Sequence, residues 1–190
     1  LTANDALRLR AGLFFPQTSL ENVDPLWQSP YTVTLSALNT WIGEEIRLTG
    51  LEAVWIRKGE ADRFEVGGAV FGVNDPAGAL LGWRGWGLGD RLTTAGEVLP
   101  LPPLATFAPG QAFADQRDDG TRPLDELDSR LGYVARVRFT RPEALRVQAA
   151  FYDNRADRSL RRGQYAWQTR FAQAGLEARL GPDVTFLAEG

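Results

Sequence analysis

A chain of 190 residues carries 21 basic against 24 acidic side chains, a net charge of -3, and has neither cysteine nor histidine. Those absences exclude disulfide frameworks, thiolate or imidazole metal sites and histidine-based triads, while the lack of a basic excess argues against a nucleic-acid partner. Catalysis would fall to Asp, Glu, Lys, Tyr, Ser and Thr, so the chain is expected not to be an enzyme and to need neither cofactor nor metal. No run approaches the about 18 consecutive apolar residues of a transmembrane helix. A membrane β-barrel would not show one, because its strands alternate between lipid and lumen. With no methionine and a last segment, VTFLAEG, that stops within an alternating run, the chain reads as processed or cut at both ends.

Residues 7–15 set Leu7, Leu9, Ala11, Leu13 and Phe15 against Arg8, Arg10, Gly12 and Phe14, the two-residue period of a half-buried strand. Pro16 ends it. In the polar connection that follows, residues 32–45 hold either a short helix, with Leu35, Leu38 and Ile42 at helical spacing, or an irregular loop. Residues 46–57 form the next strand, but Ile46 and Leu48 are apolar on even positions whereas Leu51, Ala53 and Trp55 are apolar on odd ones. A β-bulge at Gly50 is predicted to keep both halves facing one way. After a polar turn at 57–62, Phe64, Val66, Gly68 and Val70 oppose Glu65, Gly67, Ala69 and Phe71 in a third strand.

Periodicity then disappears over residues 74–130, through NDPAG, the Gly/Trp-rich LLGWRGWGLGDR, the Pro-rich LPLPPLATFAPG and an acidic segment at 115–128. That acidic segment lacks the ligand spacing of an EF-hand loop, so it is read as a solvated outer loop. The clearest element of the chain follows at 131–153. Leu131, Tyr133, Ala135, Val137 and Phe139 alternate with Gly132, Val134, Arg136, Arg138 and Thr140, and beyond the turn at 141–144 Leu145, Val147, Ala149 and Phe151 alternate with Arg146, Gln148, Ala150 and Tyr152. Each arm is about ten residues long, the length that a tilted strand needs to cross a bilayer. A polar loop at 154–163, a long strand at 165–180, a tight turn at 181–183 and a seventh strand from Val184 complete the chain. Residues 153–157 read as a loop-tip salt-bridge cluster.

The connections alternate strictly between an outer set, long at 16–44 and 74–130 and medium at 154–164, and short turns at 58–62, 141–144 and 181–183. An up-and-down membrane barrel requires this, because long loops gather on the outer side and short turns on the periplasmic side, whereas a soluble meander does not. An arginine on the lipid face near the midplane costs about 2 to 4 kcal/mol. Inverting the hairpin to expose Arg136, Arg138 and Arg146 would therefore cost on the order of 6 to 12 kcal/mol, and the arginine face is assigned to the lumen. Aromatics near strand ends, among them Phe15, Trp55, Phe64, Phe139, Phe151, Tyr165 and Phe171, fit interfacial girdles. The predicted fold is all-β: an incomplete antiparallel up-and-down transmembrane β-barrel of about seven strands, with residues 1–190 forming part of a single barrel domain.

RLRAGLFFPQTSLEN at the first strand, SPYTVTLSALNTWIGEEIRLTGLEA, the loop patch NDPAGALLGWRGWGLGDR, and FYDNRADRS followed by GQYAWQTRF span nearly the whole chain. On these segments the sequence resembles the porin-like β-barrels of Gram-negative outer membranes, and among them proteobacterial members related to the phosphate-selective porin group. The resemblance implies a larger barrel, a location in the bacterial outer membrane, contact with its lipid and lipopolysaccharide, and a homo-oligomeric state. Phosphate-selective members carry loop lysines, and this chain has Lys58 alone, so phosphate selectivity is not carried over.

The expected function is a channel for passive diffusion of small hydrophilic solutes, with an anionic preference. Arg8, Arg10, Arg47, Arg136, Arg138, Arg146 and Arg179 line the inferred lumen with Glu52, Glu65, Glu177 and Glu189, a local positive excess that would focus anions. The alternative is that these arginines pair with acids on neighbouring strands and set no selectivity. In the long loop, Trp83, Arg84, Trp86, Asp90 and Arg91 either fold into the pore as a constriction or pack over the barrel mouth. The rival of another class is a soluble secreted β-sandwich that binds carbohydrate through exposed tryptophans.

Overall fold

A computed structural model describes residues 4–21, 36, 47–84, 94–116 and 120–190. Among the described residues the chain is all-β and antiparallel, organised as one seven-stranded meander in which each long strand pairs with the next one along the chain. Its members are β1 (Asp5–Phe14), β2 (Leu48–Lys58), β3 (Arg63–Gly72), β6 (Gly132–Arg141), β7 (Leu145–Asp153), β10 (Arg170–Arg179) and β11 (Thr185–Glu189). The remaining strands are two-residue ribbons within the loops, β4 (Leu99–Pro100) with β5 (Gly120–Thr121) and β8 (Leu160–Arg161) with β9 (Gln164–Tyr165). The long loops all leave one rim of the meander and the short turns the other, as the alternation of connection lengths requires. The helix weighed for residues 32–45 falls almost entirely outside the described residues.

Exposure runs against the pattern of a water-soluble sheet. The apolar face is the open one, with Leu9 71% and Leu51 68% exposed beside Leu7, Leu13, Val66, Val70, Val137 and Val147. The arginine-bearing face is enclosed: Arg136 is 6% and Gln148 2% exposed, and Glu52, Glu65 and Gln173 are buried with them. Period-2 alternation says only that a strand has two unlike faces, and the structure assigns the polar one to the inside. Part of that enclosure comes from the segment after β1. Ser19 Oγ and the Leu20 amide donate to the carboxylate of Glu189 on the last strand at 2.7 and 2.8 Å, which carries residues 16–21 across the polar face. Leu20 fits over Gly175, where a β-carbon would lie 2.8 Å from its Cδ1.

Two expectations are corrected. Gly50 makes no bulge, because the register runs unbroken from Asp5↔Arg57 to Phe14↔Leu48 and from Thr49↔Gly72 to Lys58↔Arg63. The apparent slip is instead a real change of side: Leu48 faces inward with Glu52 and Val54. Gly50 marks a tight approach of strands, since a β-carbon there would sit 2.1 Å from the Val70 carbonyl oxygen. Its partner Gly12 adopts a φ of 124°, closed to most side chains. The strand expected at 165–180 starts only at Arg170, because Gln164 and Tyr165 pair back onto Arg161 and Leu160. The intervening Arg162 and Gly163 have φ of 52° and 72°, the left-handed pair that a two-residue hairpin turn demands.

The loops form a layer of their own. α1 (Gly78–Arg84) buries Ala79 and Leu80, and Leu80 packs with Leu99 and Leu101. The sharp exit from β3 places Val73 and Asn74 at φ 65° and 76°. The Asn74 side chain accepts the Tyr152 hydroxyl at 2.7 Å and donates to the Pro123 carbonyl at 3.3 Å. Asn154 donates to the carbonyls of Asn74 and Trp167 and accepts the Thr169 amide. Residues 73–75, 123–128 and 154–169 are thereby knitted over one end of the sheet.

Candidate functional site

The enclosed face has two chemically distinct ends. At the loop end, each of the meander strands β1, β2, β3, β6, β7 and β10 places an apolar residue where its alternation would put a polar one. Phe14, Leu48, Ala69, Phe71, Val134 and Tyr152 form a buried cluster, against which Phe15 and Phe171 pack. Tyr152 lies between Phe71 and Phe171 with ring centroids 5.3 and 5.1 Å away, both nearly parallel. This divides the predicted aromatic girdle. Trp55 and Phe64 meet edge to face on the sheet near the turn end and Tyr133 stacks on Phe151, but Phe15 and Phe171 belong to the internal cluster and Tyr165 to the loop layer.

Towards the turn end the same face is charged, and cross-strand register decides which charges meet. Arg10 and Glu52 are direct partners in register and lie 3.0 Å apart. So are Arg146 and Glu177, also at 3.0 Å. Glu65 reaches both Arg136, at 3.4 Å, and Arg63, at 2.7 Å, and so bridges two guanidiniums. Arg138 differs: it stands in register between Glu65 on β3 and Gln148 on β7, and the Gln148 amide oxygen accepts from its Nε at 2.7 Å. A neutral amide satisfies the donor and leaves the charge in place. Arg8 is exposed at the outer strand.

The other expected wall residues lie at the margins. Arg179 reaches the Pro182 carbonyl at 3.2 Å and Glu143 at 3.9 Å, at the turn rim. Arg47 precedes β2 and lies over the Phe15 ring at 5.4 Å. The same rim is tied by Arg141, whose Nε and Nη2 grip the two oxygens of Asp62 at 2.7 and 3.1 Å. That guanidinium holds the Asp62 carboxyl below its ordinary range.

Trp83 ends up in the loop layer. It meets Phe107, Phe113 and Trp167 edge to face at 5.1, 4.4 and 5.7 Å. Its ring is therefore engaged by other aromatics and offers no free stacking platform. Arg84 closes α1, and Trp86, Asp90 and Arg91 lie outside the described residues. Sequence reasoning missed the apolar end of the enclosed face. The signal was present in the recurrence of Phe14, Phe71 and Tyr152 at the loop-side end of three strands, on the side that otherwise carries arginine.

In comparisons with known proteins, no protein-family model, no curated protein and no solved structure matches the chain.

Proposed function

We propose that the chain forms part of the wall of an outer-membrane β-barrel, porin-like in design, through which small hydrophilic solutes diffuse passively with a preference for anions. The observation that carries this reading is the inversion of burial: leucines and valines are open while arginines and glutamates are enclosed. Water penalises that arrangement and lipid favours it, because apolar side chains in a bilayer need no cover whereas charges do. Strands of ten or eleven residues in β1, β2, β3, β6 and β10 fit a tilted crossing. Among the described residues β1 and β11 each pair on one side only. Open edges in lipid leave backbone groups unsatisfied, so closure by further strands, from the same polypeptide or from another copy, is part of the proposal.

The pairing of the wall narrows the selectivity mechanism. Arg10, Arg136 and Arg146 are each matched by a glutamate, which accords with the view that much of the ladder is structural. Arg138 donates to an amide oxygen and faces, across β3, a Glu65 that already bonds Arg136 and Arg63, so three guanidiniums share one carboxylate and leave an excess of positive charge. The carbohydrate-binding sandwich is less favoured, since among the described residues no second sheet covers the meander and Trp83 packs internally. Reconstitution of the protein into planar bilayers, with reversal potentials measured in a salt gradient, tests the reading. Conductance is expected, with anion preference reduced in Arg138→Gln. A folded protein that stays monomeric in detergent-free buffer and does not conduct would overturn it.

A further inference from the structure

The loop layer gathers three carboxylates that the sequence keeps apart. Asp75 follows β3, while Glu126 and Asp128 precede β6, and one oxygen from each lies within 4.8 Å of the other two. Asp75 is 1% exposed. Its Oδ2 accepts the amides of Leu127 and Asp128 at 2.6 and 3.2 Å, while Oδ1 is buried and accepts no hydrogen bond. Glu126 accepts the amides of Val73, Asp128 and Ser129. Asp128 accepts those of Arg130 and Asp157. Every one of these donors is a neutral backbone N–H, which fixes where the carboxylates point without cancelling their charge. Among the described residues no arginine or lysine side chain bonds any of the three carboxylates, and the Arg162 guanidinium bonds only the main-chain carbonyl of Glu126. The hydrogen bonds also leave lone pairs over, both on Asp75 Oδ1 and one on Glu126 Oε2.

We propose that Asp75, Glu126 and Asp128 bind a hard divalent cation of the calcium class, which staples residues 73–75 to 125–129. An all-oxygen, all-anionic donor set selects hard ions over soft ones. Calcium is favoured over magnesium because magnesium retains its water shell and demands near-octahedral geometry, whereas Asp75 is wholly buried among backbone groups. Asp128 extends the tie to a third segment through the Asp157 amide at 2.7 Å. The cation would thus hold together the loops that cover one end of the sheet. The site lies outside the long strands, so it stands independently of whether the chain conducts.

Terbium is a luminescent stand-in for calcium, and Trp167, whose amide bonds the Asp75 carbonyl at 2.8 Å, is placed to sensitise it. Titration of terbium into the folded, detergent-solubilised protein with tryptophan excitation should give saturable emission that calcium chloride displaces. Asp75→Asn and Glu126→Gln should each weaken affinity at least about tenfold, since affinity of such sites follows ligand charge. Circular dichroism checks that each variant folds, and Asp128→Asn is the substitute if Asp75→Asn does not. Absence of saturable emission from the folded wild-type protein would overturn the proposal, as would equal affinity in folded variants. In either case a proton shared within the cluster, rather than a metal, would be what relieves the repulsion.

Discussion

The two faces of the meander are made by the same strands yet obey opposite rules. On the open face, side chains differ in size but barely in chemistry: Leu9, Leu51, Val70 and Val137 are interchangeable as apolar cover and make no specific partnerships. On the enclosed face neighbours are specific, as in the stack of Phe71, Tyr152 and Phe171 and the pairs Arg10–Glu52 and Arg146–Glu177. A face that meets a fluid solvent needs only the right polarity. A face that meets itself needs register, because a charge enclosed without a partner costs several kcal/mol.

The largest expected effect tests the specific face. Phe71→Ala removes a fully buried ring from between strands and leaves Tyr152 without one of its two stacking partners. Truncations of this kind cost about 3 to 5 kcal/mol, through lost transfer energy and the cavity left behind. Denaturant unfolding of the reconstituted protein measures it, and a cost below about 1 kcal/mol would mean that the cluster is not packed as described. The next tests the unspecific face. Ala53→Arg, on the open side in mid-strand and paired with Leu9 and Gly68, should destabilise the protein by about 2 to 4 kcal/mol in a bilayer. If that face met water, the same exposed substitution would stay within about 0.5 kcal/mol, so one variant separates lipid from solvent.

What the sequence made legible follows from how far apart the cause and the residue lie. Alternation is a local property, so the strands containing Arg8, Arg136 and Arg146 and the side on which these residues stand could be read one segment at a time. The partition of that side into an apolar end and a charged belt was harder, because it emerges only when Phe14, Leu48, Phe71 and Tyr152 from separate strands are laid in register. Leu48, read alone, looked like an error of phase. The partner of each arginine needed the cross-strand register itself: the turn at Pro142–Ala144 pairs Arg141 with Leu145 and so sets Arg138 beside Gln148, while Glu65, its neighbour on the other side, bonds Arg136 and Arg63. The loop layer was illegible for a different reason. Tyr152–Asn74, Asn154–Asn74 and Asp75–Leu127 bonds join residues far apart along the chain through single side chains, and nothing periodic announces them.

The smallest effect is local and contrasts two loop carboxylates with opposite surroundings. Burial and the negative charges of Glu126 and Asp128 push Asp75 up to about 7. The Ser159 hydroxyl and the Arg161 guanidinium hold the partly buried Asp157 down at about 2. An unfolded aspartate titrates near ~3.9. For Asp75 the folded form therefore binds the proton more tightly than the unfolded one, so its stabilisation is present below about pH 4 and is lost as pH rises through about 7. Asp157 runs the other way, with stabilisation present above about pH 4 and lost as pH falls towards about 2. In chelator, hydrogen exchange corrected for intrinsic rates should show the Leu127 amide, which Asp75 accepts, losing protection on the alkaline side. The Ser159 amide, which Asp157 accepts, should lose it on the acid side. Matching profiles at the two amides would mean that the loops open as one unit, whatever the charge at either carboxylate. Restoration of Leu127 protection at neutral pH by calcium alone would identify the charge on Asp75 as what opens that segment.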